Sequence, residues 1–315
     1  VNDSTLIFVS DRSGQRELYL LKSADADKPG LYESLRHQAI QITKSDEPEY
    51  NPVVSPDGKK VVFARGNGTF LVAKVDTEKD RLVDEKILRE EGWATPSGVT
   101  WSPDGQWLAY SMEDLYFNSE IFIHPVDNSR KPVNVSMHPK GDHSPFWSPD
   151  GSKLGFISER NNGDSDIWFA WLTKEDWQKT REDWDEMDDQ EEEDLQDKDQ
   201  PADITIDLEN IHDRLEQVTS LPGNEGELTI SKNGKTFYFV TNRGGRKDYD
   251  ADSDLYSVNW DGEEMTRLTQ NDQSPRGVSI DQKNSTLYML KRGGRLAKLS
   301  TSDKKLNPVS IKAEM

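Results

Sequence analysis

Cysteine is absent from the 315 residues, so disulfides and thiol chemistry are excluded. Cytoplasm and bacterial periplasm are both compatible with that. Apolar residues make up only 33% of the chain, and no apolar run approaches the ~20 residues of a membrane span, so no membrane insertion is expected. The opening "VNDSTLIFVSDR" lacks a basic head and a cleavage site, as a mature or trimmed chain also would. Cations are in deficit: 39 Lys and Arg stand against 59 Asp and Glu, a net charge of −20. Nucleic acid is not an expected partner, because binding its backbone requires clustered Lys and Arg. Half of that net charge lies between Arg181 and Asp199, where twelve acids face only Arg181 and Lys198. Solubility, a cation-rich setting or a basic partner would each account for it. Catalytic signatures are missing too. There is no G-x-S-x-G elbow, no H-E-x-x-H and no phosphate-binding loop, and the chain has only five histidines.

What the chain does have is a repeat. "NPVVSPDGKKVVFAR", "TWSPDGQWLAYSM" and "PFWSPDGSKLGFISER" place Ser-Pro-Asp-Gly turns at Ser55, Ser102 and Ser148, 47 and 46 residues apart. Degenerate copies follow at Ser231 ("ISKNGKTFYFVTNR") and Ser279 ("SIDQKNSTLYMLKR"), and the start "NDSTLIFVSDR" matches the second half of the motif. Pro fits the second turn position and Gly a left-handed one. β-branched and aromatic flanks make each copy a β-hairpin. A third strand ("TFLVAKV", "EIFIHPV", "DIWFAWL", "DLYSVNW") and a fourth ("AIQIT", "KILRE", "PVNVS", "LEQVT", "MTRLT") complete each unit.

Four short strands per ~46 residues predict an all-β fold, a β-propeller of about six four-stranded blades. The blades fall near 1–43, 50–90, 96–136, 143–219, 225–269 and 275–311, as one domain over 1–315. A β-sandwich would show turns without so regular a repeat. Blade one lacks an innermost strand. Either "LNPVSIKAEM" returns to supply it or it lay upstream, which would make the chain a fragment.

Blade four carries an insertion over 174–213. Thr173 and Asp176 resemble a capping box, and Trp177 and Trp184 lie two helical turns apart. A helix from about Lys174 to Gln190, docked through both tryptophans, is expected. The acidic tail beyond it reads as a mobile, solvated charge run or as a recognition arm for a basic partner or a neighbouring domain.

Three sets of residues are candidates for chemistry. "HPKGDH" brings His138, Asp142 and His143 into one loop, either a metal site or a polar loop between blades. "RKDYDADSDLY" alternates Asp248, Asp250, Asp252 and Asp254, and "RNNGDSDIW" adds Asp164 and Asp166. Several oxygens in a short loop suit calcium, although the EF-hand spacing is absent and a polar hairpin loop reads equally well. Glycosidase carboxylates cannot be picked out from fifty-nine acids. Propellers bind at one end of the central channel. The residues just before and on the innermost strands are Tyr50, Asn51, Ser97, His143, Ser144, Glu225 and Arg276. Their variety suits an asymmetric surface for a peptide or protein, or an ordinary rim.

The SPDG repeats resemble those of the translocation protein TolB and of tricorn-type proteases. A narrower likeness spans "GDSDIWFAWLTKEDWQKTREDWDE" and "ITIDLENIHDRLEQVTSLPGNEGELTISKNGKTFYF", which is similar to the second propeller of bacterial tricorn-like proteases. Ile206, Asp207, Glu209, Ile211 and Arg214 fit its I-D-x-E-x-I-x-x-R pattern ahead of L-P-G-N. The resemblance covers essentially the whole chain. It implies a non-catalytic propeller and an intact ring of seven blades, where six are counted here. Such a propeller would gate or guide unfolded peptides and dock downstream PDZ-like and serine peptidase domains, in the periplasm or cell envelope, with the catalytic groups beyond Met315. The acidic insertion has no role in that pattern. A stand-alone TolB-like scaffold holding a partner at one channel mouth is the second reading, and a propeller lyase or glycosidase the third.

Overall fold

A computed structural model describes residues 4–90, 94–161, 163–184, 186, 202–242, 253–271, 273–281 and 285–310. They form six antiparallel sheets in chain order. Sheet one holds β1 (Thr5–Ser10), β2 (Glu17–Ser23) and β3 (His37–Gln41). Sheet two holds β4 (Glu49–Val54), β5 (Lys60–Arg65), β6 (Thr69–Asp76) and β7 (Arg81–Glu90). Sheet three holds β8 (Ser97–Trp101), β9 (Trp107–Glu113), β10 (Ser119–Pro125) and β11 (Val133–Asn134). Sheet four holds β12 (Asp142–Trp147), β13 (Lys153–Ser158), β14 (Asp166–Trp171) and β15 (Leu215–Gln217). Sheet five holds β16 (Glu225–Ile230), β17 (Thr236–Thr241), β18 (Asp254–Asn259) and β19 (Thr266–Arg267). Sheet six holds β20 (Arg276–Ile280), β21 (Thr286–Lys291), β22 (Arg295–Ser300) and β23 (Leu306–Pro308). The propeller expected from the repeat is therefore present.

Each hairpin turn is fastened by its own serine. Ser55, Ser102, Ser148 and Ser231 are buried. Their hydroxyls accept from the backbone N–H five residues on, at 2.9, 2.9, 2.8 and 2.8 Å. The turn glycine sits at φ +71° in the first copy, where a Cβ would be strained. In sheet six this position belongs to Asp281, not Ser279. Asp281 exchanges the equivalent bonds with Ser285 and Thr286. The irregular "IDQKNST" hides the two-residue offset.

Five apolar clusters hold the sheets face to face, joining sheets one and two, two and three, three and four, four and five, and five and six. Tryptophans stitch the inner strands as well: Trp101 Nε1 donates to the Val53 carbonyl at 3.0 Å and Trp147 Nε1 to that of Thr100 at 3.4 Å. Among the described residues no cluster links sheet six back to sheet one. The segment "LNPVS" does not complete sheet one. Its residues 306–308 are β23, paired with β22, so within the described residues β1 keeps an open inner edge.

The insertion starts as expected and then departs from expectation. Helix α1 (Lys174–Gln178) is capped by Thr173, whose Oγ1 accepts from the Asp176 N–H at 3.0 Å. It stops after five residues because a second box intervenes: Thr180 and Asp183 exchange side-chain and backbone bonds, and a new helical turn begins at 181. The expected continuous helix is thus broken at 179–180, its expected end at Gln190 lies outside the described residues, and Trp177 and Trp184 fall on either side of the break. Trp177 is 43% exposed, whereas Trp184 is buried and stacks on Trp171 at 5.2 Å. The acidic stretch 187–201 lies outside the described residues.

Beneath Trp184 the Lys153 ammonium is buried against the rings of Trp171, Trp184 and Trp260, at 4.4, 4.8 and 5.9 Å from their centroids. Burial pulls its pKa down to about 8. The return path is held by buried Arg214, whose guanidinium donates to the carbonyls of Trp171, Leu172, Asp207, Glu209 and Asn210. The I-D-x-E-x-I-x-x-R pattern is in this respect a structural clamp, with Ile211 buried and Asp207 accepting from the Lys174 N–H at 2.7 Å.

Gly155 stands at a close approach of sheets four and five. A Cβ there would lie 3.0 Å from Leu228 and 3.1 Å from Ile230. Gly155→Leu is expected to destabilise the protein by about 1–3 kcal/mol, read as a lower urea midpoint with an unchanged slope.

Candidate functional site

The start of each innermost strand bears a β-bulge. Pairing slips between Tyr50 and Val53, Ser97 and Thr100, His143 and Phe146, Gly226 and Thr229, and Arg276 and Ser279. In every case a residue at positive φ forms the bulge: Asn51 (50°), Gly98 (58°), Ser144 (55°), Glu227 (56°) and Gly277 (58°). All five are exposed. A bulge leaves one residue out of the ladder and bends the strand. Repeated round the channel, it makes a rim of small or polar residues with exposed backbone. Each bulge lies four residues before its turn, at Ser55, Ser102, Ser148, Ser231 and Asp281. That spacing was the readable signal, with Gly in two copies and Asn or Ser before Pro in two others.

The rim gathers most of the expected mouth residues. Asn51, Ser97, Ser144 and Arg276 are exposed there. Tyr50 is half-buried, with the Arg16 guanidinium 5.2 Å above its ring. Ser97 Oγ lies 3.0 Å from Ser111 Oγ. His143 Nδ1 lies 3.1 Å from Ser144 Oγ, and burial lowers the imidazole pKa in spite of Glu159 and Asp142 nearby. Glu225 is placed differently. It is only 3% exposed, one register position below the rim, and Gly226 and Glu227 stand at the rim of sheet five. Glu227 also joins two bulges, because its Oε2 accepts from the Gly277 N–H at 2.7 Å.

Below the rim runs a belt of buried acids. Glu49 and Asp142 occupy the position of Glu225 in sheets two and four and pair with Arg65 (2.7 Å) and Arg160 (3.3 Å). Glu17 opens β2 and Asp254 opens β18, and they accept from Thr43 (2.8 Å) and Thr269 (2.6 Å). Asp254, the one described member of the calcium quartet, is thereby committed to this belt. Asp248, Asp250 and Asp252 lie outside the described residues. Asp142 of the "HPKGDH" loop is likewise held by Arg160, and among the described residues no three metal-ligating groups converge.

Between sheets four and five the belt brings two carboxyls together. Glu225 accepts from Thr219 Oγ1 and Thr241 Oγ1, both at 3.0 Å, and lies within hydrogen-bond reach of Asp166. Burial pushes both carboxyls up: Glu225 to about 8, with the Asp166 charge adding to the rise, and Asp166 to about 6, where the charge of nearby Asp164 raises it further and a hydrogen bond from Glu225 holds it down. Asp166 Oδ2 accepts from Gln217 Nε2 at 3.3 Å, its Oδ1 has no hydrogen-bond partner among the described residues, and a protonated Glu225 can donate to this carboxyl.

No family model matches this chain. Over 111 residues, 34% of the chain, it is 30% identical to a tricorn protease homolog of Saccharolobus solfataricus, and the match spans 10% of that protein. Over 163 residues, half of the chain, it is 29% identical to a protein TolB homolog of Chlorobium luteolum, spanning 32% of it. Among solved structures, that of the tricorn protease superposes on 98% of the chain with a TM-score of 0.66 at 14% identity, over 30% of its own length. This likeness is one of fold. The chain thus spans a minor part of the relatives it matches, and its six-bladed propeller is of the kind that tricorn and TolB proteins contain.

Two predictions follow from the rim and the belt. Asn51→Val should cost about 1–2 kcal/mol, since a β-branched residue resists positive φ. Asn51→Gly should stay within about 0.5 kcal/mol of wild type; equal losses in thermal melts would disprove the strained bulge. The acid pair binds protons more tightly folded than unfolded, so the stability it lends is complete below about pH 4 and is lost as pH rises through about 6 and about 8. Glu225→Gln should therefore gain on wild type steadily between pH 5 and pH 9. Parallel melting curves would show that the two carboxyls do not share a proton.

Proposed function

We propose that this propeller is a non-catalytic part of a tricorn-like peptidase that guides unfolded peptides through its channel and docks neighbouring PDZ-like and peptidase domains. The observation that carries the reading is the likeness to tricorn proteins, in sequence over a third of the chain and in fold over almost all of it. The rim fits the role. Five bulges surround a channel mouth with small, mostly uncharged residues and exposed backbone, which can hydrogen-bond to any extended chain without selecting its sequence. A periplasmic or envelope location belongs to the same proposal.

A stand-alone scaffold of the TolB kind, holding a protein partner on the same rim, is the second reading. The TolB homolog favours it, since that match covers half of the chain. Immunoblotting of source-cell extract with an antibody to this chain separates the two. The peptidase reading expects a band far above the 35.9 kDa of this chain, labelled by a serine-hydrolase probe. A single unlabelled band at that mass would overturn it in favour of the scaffold.

A further inference from the structure

Between β9 and β10 the chain makes a five-residue turn built on one carboxylate. Asp114 Oδ1 accepts from the N–H of Tyr116 at 2.7 Å and of Asn118 at 3.0 Å, and Oδ2 accepts from Asn118 Nδ2 at 3.1 Å. The Asp114 N–H donates to the Asn118 carbonyl at 2.9 Å, and the Phe117 N–H to the Asp114 carbonyl at 3.1 Å. The turn thus satisfies its polar groups internally and displays three large side chains: Leu115 is 77% exposed, Tyr116 83% and Phe117 77%. Phe117 is held at φ 62°, a conformation costing a non-glycine residue roughly 1 kcal/mol or more. Three consecutive exposed apolar residues are unexpected in so polar a chain, with mean hydropathy −0.87. Patches of this kind mark binding surfaces.

A fourth exposed apolar side chain lies at the same end of sheet three. Met137 is 57% exposed and sits between Ser136 and His138, which donate to Glu120 at 2.6 and 3.1 Å. Glu120 lies two residues past Asn118, so Met137 is anchored at the base of the turn. Both loops stand on the rim side of sheet three, where β8 begins and β9 ends. Ser97 on the rim pairs with Ser111, and Asp114 follows three strand residues later, about 10 Å along.

We infer that Leu115, Tyr116, Phe117 and Met137 form a platform that captures apolar side chains of an extended, unfolded polypeptide at the channel mouth. This rests on the peptide-guiding reading and names what that peptide must present. Area decides the occupant. Aromatic side chains bury at most about 150–250 Å² each, so the four residues offer roughly 500–600 Å². A stable dimer needs about 800 Å² per partner, whereas a few side chains of an extended segment are covered fully. Aromatic rings and a flexible thioether accept varied apolar shapes, and the uncharged Ser97 and Gly98 on the rim of the same sheet leave room for the backbone.

The test uses the full chain and fluorescently labelled, reduced and carboxymethylated α-lactalbumin as a permanently unfolded probe, read by anisotropy. The triple variant Leu115→Ser, Tyr116→Ser, Phe117→Ser keeps Asp114 and Asn118, and an unchanged melt shows that it folds; Tyr116→Ser alone is the milder second variant. The expected result is at least tenfold weaker probe binding by the triple variant and an intermediate loss for Tyr116→Ser. If wild type binds the probe and the triple variant binds it equally, the platform is wrong and the guiding reading survives. If wild type does not bind the probe, both fall. Wild-type dimerisation in sedimentation that the triple variant abolishes would overturn the platform by assigning the patch to a second copy.

Discussion

A short sheet with apolar side chains on both faces is stable only between neighbours, and that requirement orders this molecule. Phe63, Tyr110, Phe156, Phe237 and Met289 are each buried because another sheet lies against them. Everything else is arranged so that six sheets keep their spacing. Buried serines close the hairpins, indole N–H groups tie inner strands to the preceding sheet, and glycine stands where two sheets come close. Burial of apolar area at roughly 25 cal/mol per Å² acts here between sheets more than within them.

The same requirement produces the polar belt. Where strands begin, side chains that would otherwise be wet are enclosed between sheets, and each enclosed acid must find a donor. Glu49 and Asp142 use arginines, Glu17 a threonine, and Asp254 both Thr269 and Arg267. Glu225 uses two threonines and Asp166 Gln217, and their burial side by side favours a proton on the pair. The rim above the belt is freed from that duty by its bulges, and it is therefore the part of the channel able to interact with something else.

The repeat made the fold legible, because Ser-Pro-Asp-Gly with β-branched flanks allows little besides a hairpin, and its period allows little besides a propeller. The outer strand "LEQVT" was readable even across the insertion. The site was less so. Glu225 stands six residues before Ser231, one more than Tyr50, Ser97 and His143 before their turns, so Gly226 and Glu227 hold the rim place that the degenerate copy suggests for Glu225. Two short capping boxes in succession read as one helix, since Trp177 and Trp184 are correctly spaced for a helix that Thr180 interrupts. The apolar turn at 115–117 carries no signal in the sequence, because three large residues between the apolar strands β9 and β10 look like core until the fold places them.

The seam between sheets six and one has a consequence for how the molecule fluctuates. Sheets joined only to their sequence neighbours behave as a line, even when they are bent into a circle, and their stability approaches a sum of nearest-neighbour couplings. Among the described residues the end sheets are coupled on one side alone, so amide protons in β2 and β21 should exchange sooner than those in β9 or β13. Protection would then rise from both ends of the chain toward the middle, and whatever covers the faces of Leu6 and Leu290, exposed at 48% and 45%, would set how steep that gradient is.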